Sequence, residues 1–238
     1  YHRGQCVLNV AGGSFDESGD RPYDTDTLQL VFSTTKGIAS IAVAMCVQRG
    51  LLDYDAPVAQ YWPEFAAEAK ADATVAQLLS HQCGLISIEG ITLAEALDLD
   101  IVTSRLAAGV PEWPIGSGHG YHALTFGWLA GELVRQVDGR TVGRFVADEI
   151  AGPLGVELWI GLPESEEHRV SPVIGGLGAA DDTDMDPAVK ALMDQVIGPG
   201  TKGGRALSLS GAFAVDGAFN RRDVHAAEIP AANAITNA

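Results

Sequence analysis

Val31-Phe32-Ser33-Thr34-Thr35-Lys36-Gly37 runs straight into Ile38-Ala39-Ser40-Ile41-Ala42-Val43-Ala44-Met45-Cys46, a short polar cluster followed by an apolar run. Small and aliphatic side chains without proline predict a helix over residues 34–49, with Gly50 as its terminator. Lys36 is the only charged residue in the 22-residue window 27–48. An ammonium group among apolar neighbours is costly unless it is paired, hydrogen-bonded or neutral. Ser33 precedes it by three residues, so a helix beginning at or just before Ser33 puts both side chains on one face, about one turn apart. The hydroxyl then lies at the positive end of the helix dipole, which favours negative charge developing there. A desolvated lysine has a lowered pKa and can take the hydroxyl proton. The same residues also fit a plain helix cap with a lysine reaching solvent, because Ser-x-x-Lys is common by chance.

Moving outward, Thr74 can cap a short helix through Val75-Ala76-Gln77-Leu78-Leu79, with Gly84 as its stop. Residues 93–108 hold one or two further helices. Residues 125–137 form a helix ended by Asp138-Gly139, and Thr141 caps another over 142–150 that stops before Gly152-Pro153. Residues 1–10 alternate weakly and predict a strand running into Ala11-Gly12-Gly13. From 164 to 230 glycines and prolines recur without a long period, which predicts crossings over a scaffold. Ile235-Thr236-Asn237-Ala238 reads as the opening of a helix. Just before the 125–137 helix lies Gly118-His119-Gly120-Tyr121-His122-Ala123-Leu124. Such a glycine-rich loop can place its aromatic residues in a cleft, and a tyrosine beside a lysine can act as a base because the cation favours phenolate. An ordinary loop with an aromatic anchor has the same letters.

Composition narrows the partners. The 238 residues are 47% hydrophobic, enough to bury a sizeable core, and carry a formal charge of -16 with only four lysines. So acidic a surface repels nucleic acid and anionic membranes. No apolar run reaches the length of a membrane span, and residues 38–47 are the longest candidate. Cys6, Cys46 and Cys83 match neither a disulfide framework nor a zinc pattern, Cys46 reads as a small core residue, and a reducing, cytoplasmic setting is the expectation. Asp181-Asp182-Thr183-Asp184-Met185-Asp186 lacks the glycine and glutamate that a calcium loop needs. The six histidines show no metal-ligand spacing, so neither metal nor cofactor is expected. There is no Gly-x-Ser-x-Gly and no phosphate-binding glycine loop after a strand.

Taken together, the segments resemble one group, the serine β-lactamase-like superfamily, which includes class C β-lactamases, D-alanyl-D-alanine carboxypeptidases and family VIII carboxylesterases. Residues 31–37 resemble its nucleophile motif, and Leu51-Leu52-Asp53-Tyr54-Asp55-Ala56-Pro57-Val58 the segment that follows. Thr74-Val75-Ala76-Gln77-Leu78-Leu79-Ser80-His81-Gln82-Cys83-Gly84-Leu85, Gly120-Tyr121-His122-Ala123 and Gly152-Pro153-Leu154-Gly155 then come in the family's order. The match is close over residues 1–163 and looser to 238. It implies an α+β fold with a helical region, over about residues 52–163, beside an antiparallel sheet flanked by helices. It implies one partial domain over 1–238 and an acyl-enzyme mechanism. Ser33 is then the nucleophile, Lys36 and Tyr121 share general-base and general-acid duties, and the Ser33 N–H is one oxyanion donor. Apart from the resemblance, the expectation is that His122, next to Tyr121, borders the acyl pocket. The implied partner is a small ester or amide; no oligomeric state is implied.

Two departures matter. Lactam-active members usually carry Asn two residues after the tyrosine, where this chain has Ala123, which shifts the expectation towards esters and the family VIII branch. The family's third motif, Lys/His/Trp-x-Gly on a strand lining the site, has no convincing copy. Lys202-Gly203-Gly204 falls in what reads as a glycine-rich loop, and Trp159-Ile160-Gly161 follows Gly155 too closely and is expected to pack structurally. The expectation is therefore a chain truncated at both ends, with sheet strands and the third motif beyond residue 238 and weak or absent hydrolysis by these residues alone. A β-lactamase or D-alanyl-D-alanine peptidase is the rival enzyme, and a non-catalytic scaffold of the same fold the rival of another class.

Overall fold

Leu28 and Leu30 are buried and Gln29 half-buried between them, the alternation expected of a strand with a covered face. This strand, β1 (Leu28–Leu30), sits inside a four-stranded sheet in a computed structural model that describes residues 2–174 and 186–237. The other strands are β2 (Leu158–Trp159), β3 (Val170–Ser171) and β4 (Ile235–Thr236), in the order β2-β4-β1-β3. Leu28 pairs with Val170 in parallel, Gln29 and Leu30 pair with Thr236 and Ile235 antiparallel, and β4 pairs antiparallel with β2. The sheet is thus mixed rather than wholly antiparallel. β4 also corrects the expected terminal helix: two β-branched residues fill the slot between β1 and β2, and that pairing outweighs local preference.

The remaining regular structure is helical. α1 (Thr34–Gln48) follows β1 directly. α2 (Val75–Leu79) starts at a full capping box, with the Thr74 side chain accepting from Gln77 N–H and Gln77 reaching back to Thr74 N–H. α3 (Leu93–Ala96), α4 (Leu99–Ala108) and α5 (Thr125–Asp138) follow, α5 ending at the left-handed Gly139. α6 (Val142–Val146), capped by Thr141, passes through one π turn, Ala147–Ala151, into α7 (Gly152–Leu154). α8 (Pro187–Ile197), α9 (Lys202–Ser208) and α10 (Arg222–Ala226) complete the set among the described residues. None is long and apolar enough to cross a membrane.

α1 packs against α5. Ala39, Ala42, Val43 and Cys46 from one and Trp128, Leu129 and Leu133 from the other join Phe145 in the main core. Full burial of Leu129 or Leu133 contributes roughly 1.5–3 kcal/mol each. A second cluster of Leu28, Leu30, Leu162, Val170 and Ile235 covers the sheet, and Trp159 packs against it.

Three further expectations are corrected. Residues 1–10 form no strand: among the described residues they have only a His2–Gln5 bridge, and Val7, Leu8 and Val10 are exposed. Lys202-Gly203-Gly204 opens α9 rather than a loop, capped by Thr201, whose Oγ1 accepts from Gly204 N–H at 3.0 Å. A Cβ at either glycine would lie 2.2 Å from a carbonyl oxygen of the preceding turn, so these glycines serve a tight α8–α9 junction. The 164–230 stretch also carries α8, α9, α10 and β3. Asp181, Asp182 and Asp184 of the acidic run and the glycines at 175, 176 and 178 lie outside the described residues.

Candidate active site

The chain turns sharply between β1 and α1. Phe32 has φ 42°, a left-handed conformation uncommon outside glycine, and Ser33 at φ −67°, ψ −7° is already helical. The turn is braced from both sides. Val31 N–H donates to Ala234 O at 2.9 Å, Thr35 Oγ1 donates to Phe32 O at 2.5 Å and accepts from Ala234 N–H at 2.9 Å, and the Phe32 ring meets Phe219 edge-on. The result is Ser33 exposed at the mouth of α1, with an N–H that has no acceptor among the described residues.

Lys36, one turn on, is 9% exposed. Its Nζ donates to Ala123 O at 2.7 Å and Ala231 O at 3.0 Å, and lies 3.1 Å from Ser33 Oγ. The two carbonyls occupy two of the amine's hydrogens and leave the remaining tetrahedral position facing the serine. An ammonium presents a hydrogen there and a neutral amine a lone pair, so a proton can pass between the two groups. Burial holds the Lys36 pKa below its ordinary value, with Tyr121 partly offsetting it. Tyr121 is 45% exposed, and its phenol oxygen lies 2.7 Å from Ser33 Oγ. The Lys36 ammonium sits 4.9 Å from the centre of its ring. Burial pushes the phenol pKa up, but the Ser33 and Lys36 hydrogen bonds and the Lys36 charge outweigh it, and the net shift is downward. Ser33 Oγ therefore lies within hydrogen-bond reach of an amine on one side and a phenol on the other.

Three of the four residues singled out from sequence converge; His122 does not. It is fully buried. Its Nδ1 meets Gly120 O at 2.6 Å, while its Nε2 accepts from Leu85 N–H at 3.1 Å and lies 3.3 Å from Cys83 Sγ. That ring ties the tyrosine loop to the segment after α2 instead of bordering a pocket. Burial takes its pKa down to about 4. Ala123 turns its methyl into a buried cluster with Ile86 and Ala206 and offers the site only its carbonyl.

Sequence reasoning missed the second carbonyl on Lys36. Ala231 is held by a loop organised around Asn233, which is fully buried. Asn233 Nδ2 donates to Val224 O and Ala227 O, and its Oδ1 accepts from Ile229 N–H. The one available signal was an amide alone among Ile229, Pro230, Ala231 and Ala232. Gly127 lets this loop touch α5, since a Cβ there would lie 2.2 Å from Ala231 N.

Known proteins share this arrangement of elements. Esterase/beta-lactamase LipL of Mycobacterium tuberculosis (strain ATCC 25618 / H37Rv) is 38% identical over 241 residues, covering 100% of this chain and 54% of that protein. The crystal structure of a family VIII carboxylesterase superposes with a TM-score of 0.80 at 37% identity, over 95% of this chain and 56% of the other. A penicillin-binding protein homolog from Caulobacter crescentus gives 0.79 at 37% identity, over 94% and 56%. The chain thus spans about half the length of the relatives it matches. The sequence profile of the Beta-lactamase family matches residues 1–238, and on that full-length match the chain belongs to the Beta-lactamase family.

Proposed function

We propose that this chain carries the acylating centre of a serine hydrolase acting on small carboxylic esters. The observation that carries the reading is the placement of the exposed Ser33 Oγ between Lys36 Nζ, at 3.1 Å, and Tyr121 OH, at 2.7 Å. The relatives named esterase/beta-lactamase and family VIII carboxylesterase support the same chemistry. In the proposed reaction the Ser33 proton passes to the Lys36–Tyr121 pair as Oγ attacks the ester carbonyl. The carbonyl oxygen becomes an oxyanion facing the Ser33 N–H, which meets no competing acceptor among the described residues. Collapse expels the alcohol, which takes the proton back from the pair, and leaves an acyl-serine. Water, deprotonated by the same pair, attacks the acyl carbon, and the acid departs as Ser33 regains its proton. The buried methyl of Ala123 offers no polar contact to a lactam side chain, which favours esters.

A fluorophosphonate probe tests this directly. Labelling of one serine per chain, lost in Ser33→Ala with the fold intact, is the expected result; a folded protein that never labels overturns the reading in favour of a non-catalytic scaffold. p-Nitrophenyl butyrate turned over faster than nitrocefin separates the ester reading from a β-lactamase or D-alanyl-D-alanine peptidase.

A further inference from the structure

His81 follows α2 in a left-handed conformation, φ 63°. That turn presents two acceptors of one residue to one loop. Its carbonyl accepts from Gly120 N–H at 3.2 Å, and its ring Nδ1 accepts from His122 N–H at 3.1 Å. The two donors flank Tyr121. With residues 120 and 122 both fastened to His81, the side chain between them has little freedom to swing, and the imidazole closes the gap by lying 5.3 Å from the Tyr121 ring. Phe126 backs the imidazole at 5.1 Å.

From this geometry we infer that His81 is a positioning residue, a two-point clamp that holds the Tyr121 phenol against Ser33 Oγ. The inference rests on the hydrolase reading for its effect on rate but not for its effect on Tyr121. The clamp needs Nδ1 unprotonated. The charged and titratable groups facing the ring are Lys36, Tyr121, His119 and His122. Burial, then His119 and Lys36, take its pKa down to about 4, so the acceptor persists across neutral and mildly acidic conditions. His122 completes the loop from the other side through Gly120 O.

The experiment uses the whole 238-residue chain. In the unmodified protein, an NMR coupling across the hydrogen bond between the His122 amide nitrogen and His81 Nδ1 is expected, and its absence overturns the clamp. His81→Phe keeps the ring and removes the acceptor. His81→Asn keeps an acceptor at the same reach and tolerates a positive φ. With tyrosine labelled at Cζ and Tyr121→Phe assigning the signal, His81→Phe is expected to return the Tyr121 pKa towards 10.0. It slows probe acylation about 100-fold, the cost of a misplaced group, and His81→Asn recovers most of both. A folded His81→Phe protein with the parent Tyr121 titration overturns the inference. If Ser33 never labels in the parent, the hydrolase reading falls while the titration still judges the clamp. If His81→Phe does not fold, the coupling between the His122 amide and His81 Nδ1 decides, its presence supporting the clamp and its absence overturning it.

Discussion

The lysine and the tyrosine shift in the same direction for different reasons. Removing water from Lys36 favours its neutral form, while at Tyr121 burial raises the pKa but the Ser33 and Lys36 hydrogen bonds, and then the Lys36 charge, outweigh it and favour phenolate. In the proposed mechanism the two groups act as a pair, so the acidic limb of the acylation profile is expected to belong to the pair rather than to either residue. Replacing Lys36 with Met removes the cation but keeps an apolar chain of similar length. The Tyr121 pKa then rises, the acidic limb moves to higher pH, and acylation slows by about 10²–10⁴-fold, the range for loss of a proton-transfer partner. Stopped-flow acylation of the parent and Lys36→Met across pH checks this, and an unmoved limb removes Lys36 from the proton path.

Elements were legible where their signals are local. The α1 run, the Thr74 and Thr141 caps and the Asp138-Gly139 stop lie within a few residues of what they control, and so α1, α2, α5 and α6 begin where the sequence places them. Ser33 and Lys36 were readable for the same reason, since one helical turn joins them. What was not legible comes from distant pieces of chain. β4 exists because β1 and β2 leave it a slot, and the Ala231 carbonyl reaches Lys36 from 195 residues away. His122 misled because a histidine beside a tyrosine looks the same in sequence whether it faces a cleft or Cys83. The α5–Ala231 contact gives a test at this scale. Gly127→Ala drives a methyl into the backbone at 230–231, where Pro230 C and Ala231 N would lie within 2.4 Å. The helix and the loop must separate, at a cost of roughly 1–3 kcal/mol for an overpacked contact. Urea unfolding should show that loss, and labelling of Ser33 should slow as the Ala231 carbonyl leaves Lys36. Unchanged stability with a parent labelling rate would show that the loop does not bear on α5.

Over the whole molecule two electrostatic effects oppose each other as pH falls. The formal charge of -16 at pH 7, with a sequence pI near 4.5, means that acid relieves self-repulsion and favours the compact state. The buried histidines act the other way. His122 keeps a pKa of about 4 when folded against an ordinary 6.5, and His81 shifts likewise. Between those values the unfolded chain binds protons that the folded chain refuses, so the stability present above pH 6.5 drains away as pH falls towards 4 and is flat below. For the fully buried His122 the shift corresponds to about 3 kcal/mol; the more open His81 adds in the same direction. Salt separates the two effects, because 1 M salt shortens the screening length to about 3 Å and removes long-range repulsion, while a ring enclosed by Cys83, Leu85 and Gly120 is barely screened. Urea unfolding at pH 7, 6, 5 and 4.5 in 1 M salt is therefore expected to show stability falling steadily with acid, and more steeply than at low salt. His122→Gln, less stable throughout, should flatten that slope. A parent protein whose high-salt stability is level from pH 7 to 4.5 would mean that the fold accepts a charged His122, and that the tie between the tyrosine loop and the segment after α2 does not depend on a neutral ring.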